Sequence, residues 1–371
     1  MNFGVPLETL PGESRVAATP ETIKKLKAKG HHIVVEAGAG LKASVTDEAY
    51  VAAGAVISDQ AAAMSQDVVL KVRAPSVQEL ALMKPNSVLV GMLNPFDAAG
   101  LERLAQAQVC AFALEAAPRT TRAQSMDVLS SQANIAGYKA VMLGADLYQR
   151  FFPMLMTAAG TVKAARVVIL GVGVAGLQAI ATAKRLGAVI ECSDVRPSVK
   201  EQVESLGAKF IDVAFETDEE REAAQGVGGY ARPMPASWLD RQKVEVAKRV
   251  AQADVVITTA LIPGRAAPVL VSAEMVESMK AGSVIVDLAA AQGGNCPLTQ
   301  ADQIVQHHGV TLVGYTNLAS MVAADASALY ARNILDFVKL VTAEDGSFHM
   351  PADDDIVSAC LMTLDGTVKR K

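Results

Sequence analysis

Three glycines at fixed spacing, Gly171, Gly173 and Gly176, follow the run Val167-Val168-Ile169-Leu170 and open an apolar helical stretch that ends near Gly187. G-x-G-x-x-G carries chemical meaning only in this setting, after a strand and at the start of a helix. Gly171 permits the tight turn, Gly173 lets a pyrophosphate approach the backbone, and Gly176 lets the helix pack closely on the sheet. The helix start at Val174 and Ala175 then offers unpaired N–H groups and a partial positive charge to phosphate oxygens. The next strand candidate, Ala188–Cys192, leads to Asp194. A carboxylate there accepts hydrogen bonds from ribose hydroxyls and repels a 2′-phosphate, which favours NAD(H) over NADP(H). Arg196 argues the other way, since an arginine near that acid can pair with a 2′-phosphate. A glycine-rich turn without a ligand explains the glycines taken alone. Strand, turn, helix, second strand and acid together point to a dinucleotide.

Elements must hold these residues in place, and bulk composition limits what they are. A chain of 371 residues is too long for one core and suggests two domains. Hydrophobic residues at 51% and charged residues at 20% describe a globular chain, and the 4% of aromatics suits parallel strands buried under helices. The net charge of −5, with no basic stripe, gives no electrostatic case for nucleic acid. Cys110, Cys192, Cys296 and Cys360 form no C-x-x-C pair and show no metal-ligand spacing, so a reduced, cytoplasmic chain without metal is expected. Met1-Asn2-Phe3-Gly4 does not begin a basic segment followed by an apolar run, so no signal peptide is expected. The uncharged stretch Val167 to Ala183 is interrupted by glycines and falls short of the ~20 residues a membrane span needs. Direct membrane insertion is therefore not expected, and a membrane role would come through a partner.

Short apolar runs alternate with helical patterns along the chain, which predicts parallel sheets with helices on both faces. Thr19-Pro20 reads as an N-cap and a first helical position, with the helix stopping at Gly30. Ser76 and Glu79 form a capping box. Ile33–Val35, Asp67–Val72, Ser87–Gly91 and Val109–Leu114 are strand candidates of the first domain. Val167–Leu170, Ala188–Cys192, Asp254–Thr258, Ser283–Asp287 and Val310–Val313 are those of the second. Between the sets, helices are expected over Ala133–Leu147 and Phe151–Val162. A long helix from Asn317 to about Val341 returns the chain to the first domain. The expected architecture is α/β: two Rossmann-like, doubly wound parallel-sheet domains joined by long helices, with a cleft between them. Residues 1–128 plus 321–371 make the first domain and 129–320 the second, dinucleotide-binding one. The stretch Phe215–Arg241, charged and then glycine- and proline-rich, is either a surface insertion or a functional loop.

The segment Arg119-Thr-Thr-Arg122-Ala-Gln124-Ser-Met-Asp127-Val-Leu-Ser130-Ser-Gln132-Ala-Asn134-Ile-Ala-Gly137-Tyr138 resembles the loop and helix start of the alanine dehydrogenase/transhydrogenase family. Glu13-Ser-Arg15-Val-Ala-Ala-Thr-Pro20, Leu70-Lys71-Val-Arg73-Ala-Pro75, Gly229-Tyr230-Ala-Arg232-Pro-Met234 and Val286-Asp287-Leu-Ala-Ala-Ala-Gln292-Gly293-Gly294 are also family-like. The resemblance spans essentially the whole chain and is strongest to the NAD(H)-binding component of proton-translocating transhydrogenases. It implies that Arg119, Gln124, Asp127 and Ser130 approach the nicotinamide, with Gln124 spanning two facing rings. It implies that Gly229, Tyr230 and Met234 belong to a loop that closes over bound nucleotide. Val195, Ala260, Leu261, Asn317 and Leu318 complete the expected cofactor-binding set. NADP(H) would sit on a partner component, beside membrane-spanning subunits, with this chain a homodimer on the cytoplasmic face of the inner membrane.

Ordinary loop polarity and helix capping account equally well for Arg119, Asp127 and Ser130 on residue type alone. Two other functions also stay open. Alanine dehydrogenases carry a histidine where this chain has Asn94 and an aspartate where it has Ala291. C–N oxidation needs a group to manage the proton, and hydride exchange between two nicotinamides does not. Arg15 and Lys71 do match residues that grip an amino or keto acid. The five histidines, His31, His32, His307, His308 and His349, belong to no catalytic pattern. A non-catalytic NAD-binding module would also use the glycine fingerprint, but it has no need of the Gln124 loop.

Overall fold

Buried runs of valine, isoleucine and leucine build the sheets of the computed structural model, in which residues 1–224, 234–351 and 353–370 are described. The chain divides into two units, Met1–Gln132 with Ala319–Lys371, and Ala133–Leu318.

In the first unit the strands lie in the order Thr367–Val368, Leu361–Leu364, Cys110–Ala113, Val88–Met92, Val68–Arg73, Asn2–Val5, His32–Glu36, Val56–Ser58. Pairing is parallel from Cys110–Ala113 to Val56–Ser58, and the two C-terminal strands add an antiparallel edge. The second unit has the order Lys209–Phe210, Val189–Ser193, Arg166–Leu170, Val255–Thr258, Val284–Asp287, Val310–Val313, Ile304–His307, antiparallel only at the last pair. Both are doubly wound sheets of Rossmann type. Each reverses strand order at one point, between Asn2–Val5 and Val68–Arg73, and between Arg166–Leu170 and Val255–Thr258. Such a switch point leaves a crevice at the carboxyl ends of the strands.

Local signals set the helix ends. Thr19 is extended (φ −118°, ψ 164°) ahead of Pro20, the helix Pro20–Ala28 buries Thr22, Ile23 and Leu26, and Gly30 ends the turn at φ +81°. Glu79 accepts the Ser76 N–H at 2.7 Å while its own N–H donates to Ser76 Oγ at 3.2 Å. The helix Ala323–Leu340 buries Tyr330, Ile334, Phe337 and Val338 in the first unit's core. There the Tyr330 hydroxyl donates to the Lys71 carbonyl at 2.8 Å.

One expected helix is absent from the described residues. Phe151–Val162 contains the antiparallel strands Leu155–Thr157 and Gly160–Val162 instead. Pro153 removes an N–H and blocks the preceding turn. Gly160 has φ +133°, far from helical, and Thr157, Thr161 and Val162 favour extended backbone. No helix among the described residues is long and apolar enough to cross a membrane.

Candidate functional site

The strand Arg166–Leu170 delivers the chain to Gly171, whose φ of +93° lies in the left-handed region that glycine tolerates. Gly173 (φ −82°, ψ −163°) caps the helix Val174–Arg185. A Cβ on Gly176 would sit 2.1 Å from the Gly171 carbonyl oxygen, so only glycine lets the first helical turn rest on the strand end. A Cβ on Gly137, in the helix Val128–Leu147, would sit 2.1 Å from the Ala175 carbonyl oxygen. That helix therefore crosses the start of the dinucleotide helix at glycine distance. A Cβ on Gly173 would meet nothing within 4 Å. Packing gives no reason for glycine there, whereas a pyrophosphate lying against the backbone does.

Asp194 follows the strand Val189–Ser193 and lies against the turn. Its Oδ2 accepts the Val172 N–H at 2.7 Å and an Arg196 Nη2 hydrogen at 2.9 Å, and its Oδ1 accepts Arg196 N–H and Nε–H at 2.9 Å each. Hydrogen bonding to Asp194 pushes the Arg196 guanidinium pKa above its usual value. Val195, between them, packs on a small core of Ala224, Met234 and Trp238, where Trp238 stacks on Phe215 at 5.9 Å. Gly229 and Tyr230 lie outside the described residues, while Met234 is buried.

A third segment approaches from Val255–Thr258. Thr259 Oγ1 donates to the Gly171 carbonyl at 2.8 Å, and the chain continues through Ala260 to the exposed Leu261 and Ile262. Asp287, fully buried, accepts from Thr258 Oγ1, Ala289 N–H, Cys296 N–H and Thr299 Oγ1 at 2.7–3.1 Å. Sequence reasoning gave no role to Thr259, Asp287 or Asn295. The run through Gly293-Gly294 into Asn295 was the available signal. Asn317 is partly buried beyond Val310–Val313, and Leu318 buries its side chain in the second unit's core. Gly171, Gly173, Gly176, Asp194, Arg196 and Ala260 thus come together at one sheet edge.

Arg119, Gln124, Asp127 and Ser130 belong to the first unit, in and around the 3₁₀ segment Thr121–Met126. Ala123 and Met126 are buried and anchor the segment, while Arg119 and Gln124 are exposed. Asp127 Oδ1 accepts the Ser130 N–H at 2.8 Å and Oδ2 accepts the Ser130 hydroxyl at 2.6 Å. That is a helix cap, so the capping explanation of these two residues holds whatever else they do. Arg122 pairs with Asp354 at 2.6 Å and with Asp355, and Asn333 Nδ2 donates to the Ser125 carbonyl at 2.7 Å.

The cations matching an amino-acid grip are buried and neutralised by the chain's own carboxylates. Arg15 pairs with Glu13 at 2.6 Å, and Lys71 with Glu79 at 2.8 Å and Glu8 at 3.3 Å. Asn94 has φ +53° and donates its N–H to Glu115 at 2.7 Å; Ala291 is exposed. His31 is buried against Phe3, and His32, His308 and His349 are exposed. All four cysteines are buried free thiols, and burial pushes Cys110 and Cys360 up to about 12. Among the described residues no group of three or more His, Cys, Asp or Glu is arranged to hold a metal.

A family model described as alanine dehydrogenase/PNT, N-terminal domain, matches residues 4–136, and the corresponding C-terminal domain model matches residues 140–371. The first of the separately encoded pieces of NAD(P) transhydrogenase subunit alpha in Rhodospirillum rubrum is 51% identical over 377 residues, covering 99% of this chain and 97% of that protein. A solved transhydrogenase structure from Sinorhizobium meliloti superposes with a TM-score of 0.91 at 46% identity, covering 99% of this chain and 100% of that one. An L-alanine dehydrogenase structure superposes with a TM-score of 0.82 at 27% identity, covering 99% and 96%.

Proposed function

The chain belongs to the alanine dehydrogenase/PNT family, and on that premise we propose that it is the NAD(H)-binding component of a proton-translocating NAD(P) transhydrogenase. The observation that carries the cofactor assignment is the open face of Gly173 beside Asp194, on a parallel sheet at its switch point.

The backbone of Gly171–Gly176 and the first turn of the helix Val174–Arg185 bind the pyrophosphate. Asp194 accepts the adenosine ribose hydroxyls, and its bonds to Arg196 keep that guanidinium from a 2′-phosphate. When bound, NADH supplies a hydride to NADP⁺ held on a partner component, or receives one in the reverse direction. Gln124 and Arg119 on their exposed segment orient the reacting rings, and the Asp127–Ser130 cap holds that segment's end. No acid or base is needed for the transfer itself. Proton coupling resides in membrane-spanning subunits, to which this chain attaches peripherally, as a homodimer on the cytoplasmic face.

An alanine dehydrogenase reading needs a proton-handling group, and Asn94 and Ala291 supply none. Titration of the chain with NADH and NADPH, together with an assay of L-alanine plus NAD⁺, tests the assignment. Tight NADH binding, weak NADPH binding and no alanine turnover are expected. Alanine turnover by the chain alone would overturn it.

A further inference from the structure

Asn295 is a fully buried amide whose hydrogen bonds all go to one backbone segment. Its Nδ2 donates to the Ala260 carbonyl at 2.9 Å and to the Pro268 carbonyl at 2.8 Å, and its Oδ1 accepts the Ala260 N–H at 3.2 Å. Its own carbonyl accepts from Leu270 and Val271 N–H at 2.8 and 3.1 Å. One residue therefore ties both ends of residues 260–271.

Its placement is closely determined. Gly293 and Gly294 have φ of +92° and +82°, a conformation L side chains rarely adopt. A Cβ on Gly294 would fall 2.8 Å from Asp287 Oδ2, the oxygen that also accepts the Cys296 N–H. The target is equally specific. Ala260 follows Thr259, whose hydroxyl is bonded to the Gly171 carbonyl, and a Cβ on Gly171 would approach the Ala260 nitrogen to 3.1 Å. The Ala260 peptide thus lies against the glycine turn, and the next residues, Leu261 and Ile262, are exposed and apolar.

From this arrangement we propose that Asn295 is a positioning residue for NAD(H). It fixes the Ala260 peptide and so presents Leu261 and Ile262 as an apolar ledge against which a flat ring of the dinucleotide packs. The inference rests on the NAD(H) assignment above. Without the amide, both backbone groups of Ala260 and the Pro268 carbonyl lose buried partners, and the ledge loses its fixed position. Asn295→Asp is the sharper substitution. It keeps an acceptor for the Ala260 N–H but sets a carboxylate against two carbonyl oxygens.

The test is NADH affinity by fluorescence titration alongside Tm, for the wild type, Asn295→Ala, Asn295→Asp and Leu261→Ser. Met275→Ala, in the core of the same unit, serves as a control for simple loss of stability. Both Asn295 variants are expected to raise the NADH Kd by about tenfold or more, the effect of losing one buried hydrogen-bonded contact. Met275→Ala lowers Tm and leaves the Kd alone. Leu261→Ser, at an exposed position, weakens NADH with little change in Tm. An Asn295 variant that folds and binds NADH like the wild type overturns the proposal. If neither Asn295 variant folds, unchanged NADH binding by Leu261→Ser overturns it instead. A wild-type chain that binds no NADH would defeat the NAD(H) assignment itself, which separates the two failures.

Discussion

Asp194 accepts the Val172 amide hydrogen at 2.7 Å, so the acid at the end of one strand holds the glycine turn at the end of its neighbour. The same carboxylate holds Arg196. Asp194→Ala should therefore do two things at once. NADH binding weakens by about tenfold or more as ribose and turn lose their acceptor. NADPH binding strengthens as Arg196 is released toward a 2′-phosphate. Parallel titrations with the two nucleotides check this, and an unchanged preference for NADH would contradict the role given to the pair.

The two inner glycines of the motif should fail in different ways. Gly173→Ala places a methyl in open space on backbone that alanine readily adopts, so Tm stays near wild type while NADH binding is lost. Gly176→Ala drives a Cβ into the Gly171 carbonyl and should destabilise by about 1–3 kcal/mol as well. Thermal melts with and without NADH separate the two outcomes.

Acid should loosen the anchorage of the segment that carries Gln124. The Arg122 hydrogen bonds hold the Asp354 carboxyl at about 2, below its ordinary 3.8. A carboxyl depressed in the folded state adds stability at pH values above its unfolded pKa, and that stability is lost as pH falls through the folded value. Wild type should melt above Asp354→Asn at neutral pH, and the gap should close between about pH 4 and pH 2. A gap that persists below pH 2 would show that the helix cap at Ile356 and Val357, not the ion pair, sets the difference.

Gln124 is exposed while its neighbours Ala123 and Met126 are buried, so the side chain can change without loss of the anchor. Gln124→Asn shortens the reach by one methylene. Hydride transfer to the partner's nucleotide should slow at least about tenfold with NADH affinity and Tm unchanged. Equal loss of binding and transfer would assign Gln124 to the NADH pocket instead.

The parallel sheets were legible because their central strands are continuous apolar runs such as Val167–Leu170 and Ser283–Asp287, bounded by glycine or polar residues. The edges were not. Asn2–Val5, Val56–Ser58, Lys209–Phe210 and Ile304–His307 are short, and several carry polar residues that only pairing with a neighbour makes extended. Leu361–Leu364 depends on Cys110–Ala113, some 250 residues away, which local pattern does not reveal. The hairpin at Leu155–Val162 was misread because its leucine, methionine and alanine content suits a helix, and Pro153 and Gly160 were given too little weight. At the site, the glycine turn and Asp194 were readable from spacing. Asn295 was not, because a buried asparagine acquires its meaning from the backbone groups of Ala260 and Pro268, more than twenty residues earlier in sequence.

The most direct test of the central claim is the rate of hydride transfer from NADH to an NADP⁺ analogue, measured with and without an added NADP-binding transhydrogenase component. Transfer that requires both components is the predicted result. Transfer by this chain alone, or none with the partner present and NADH bound, would contradict it.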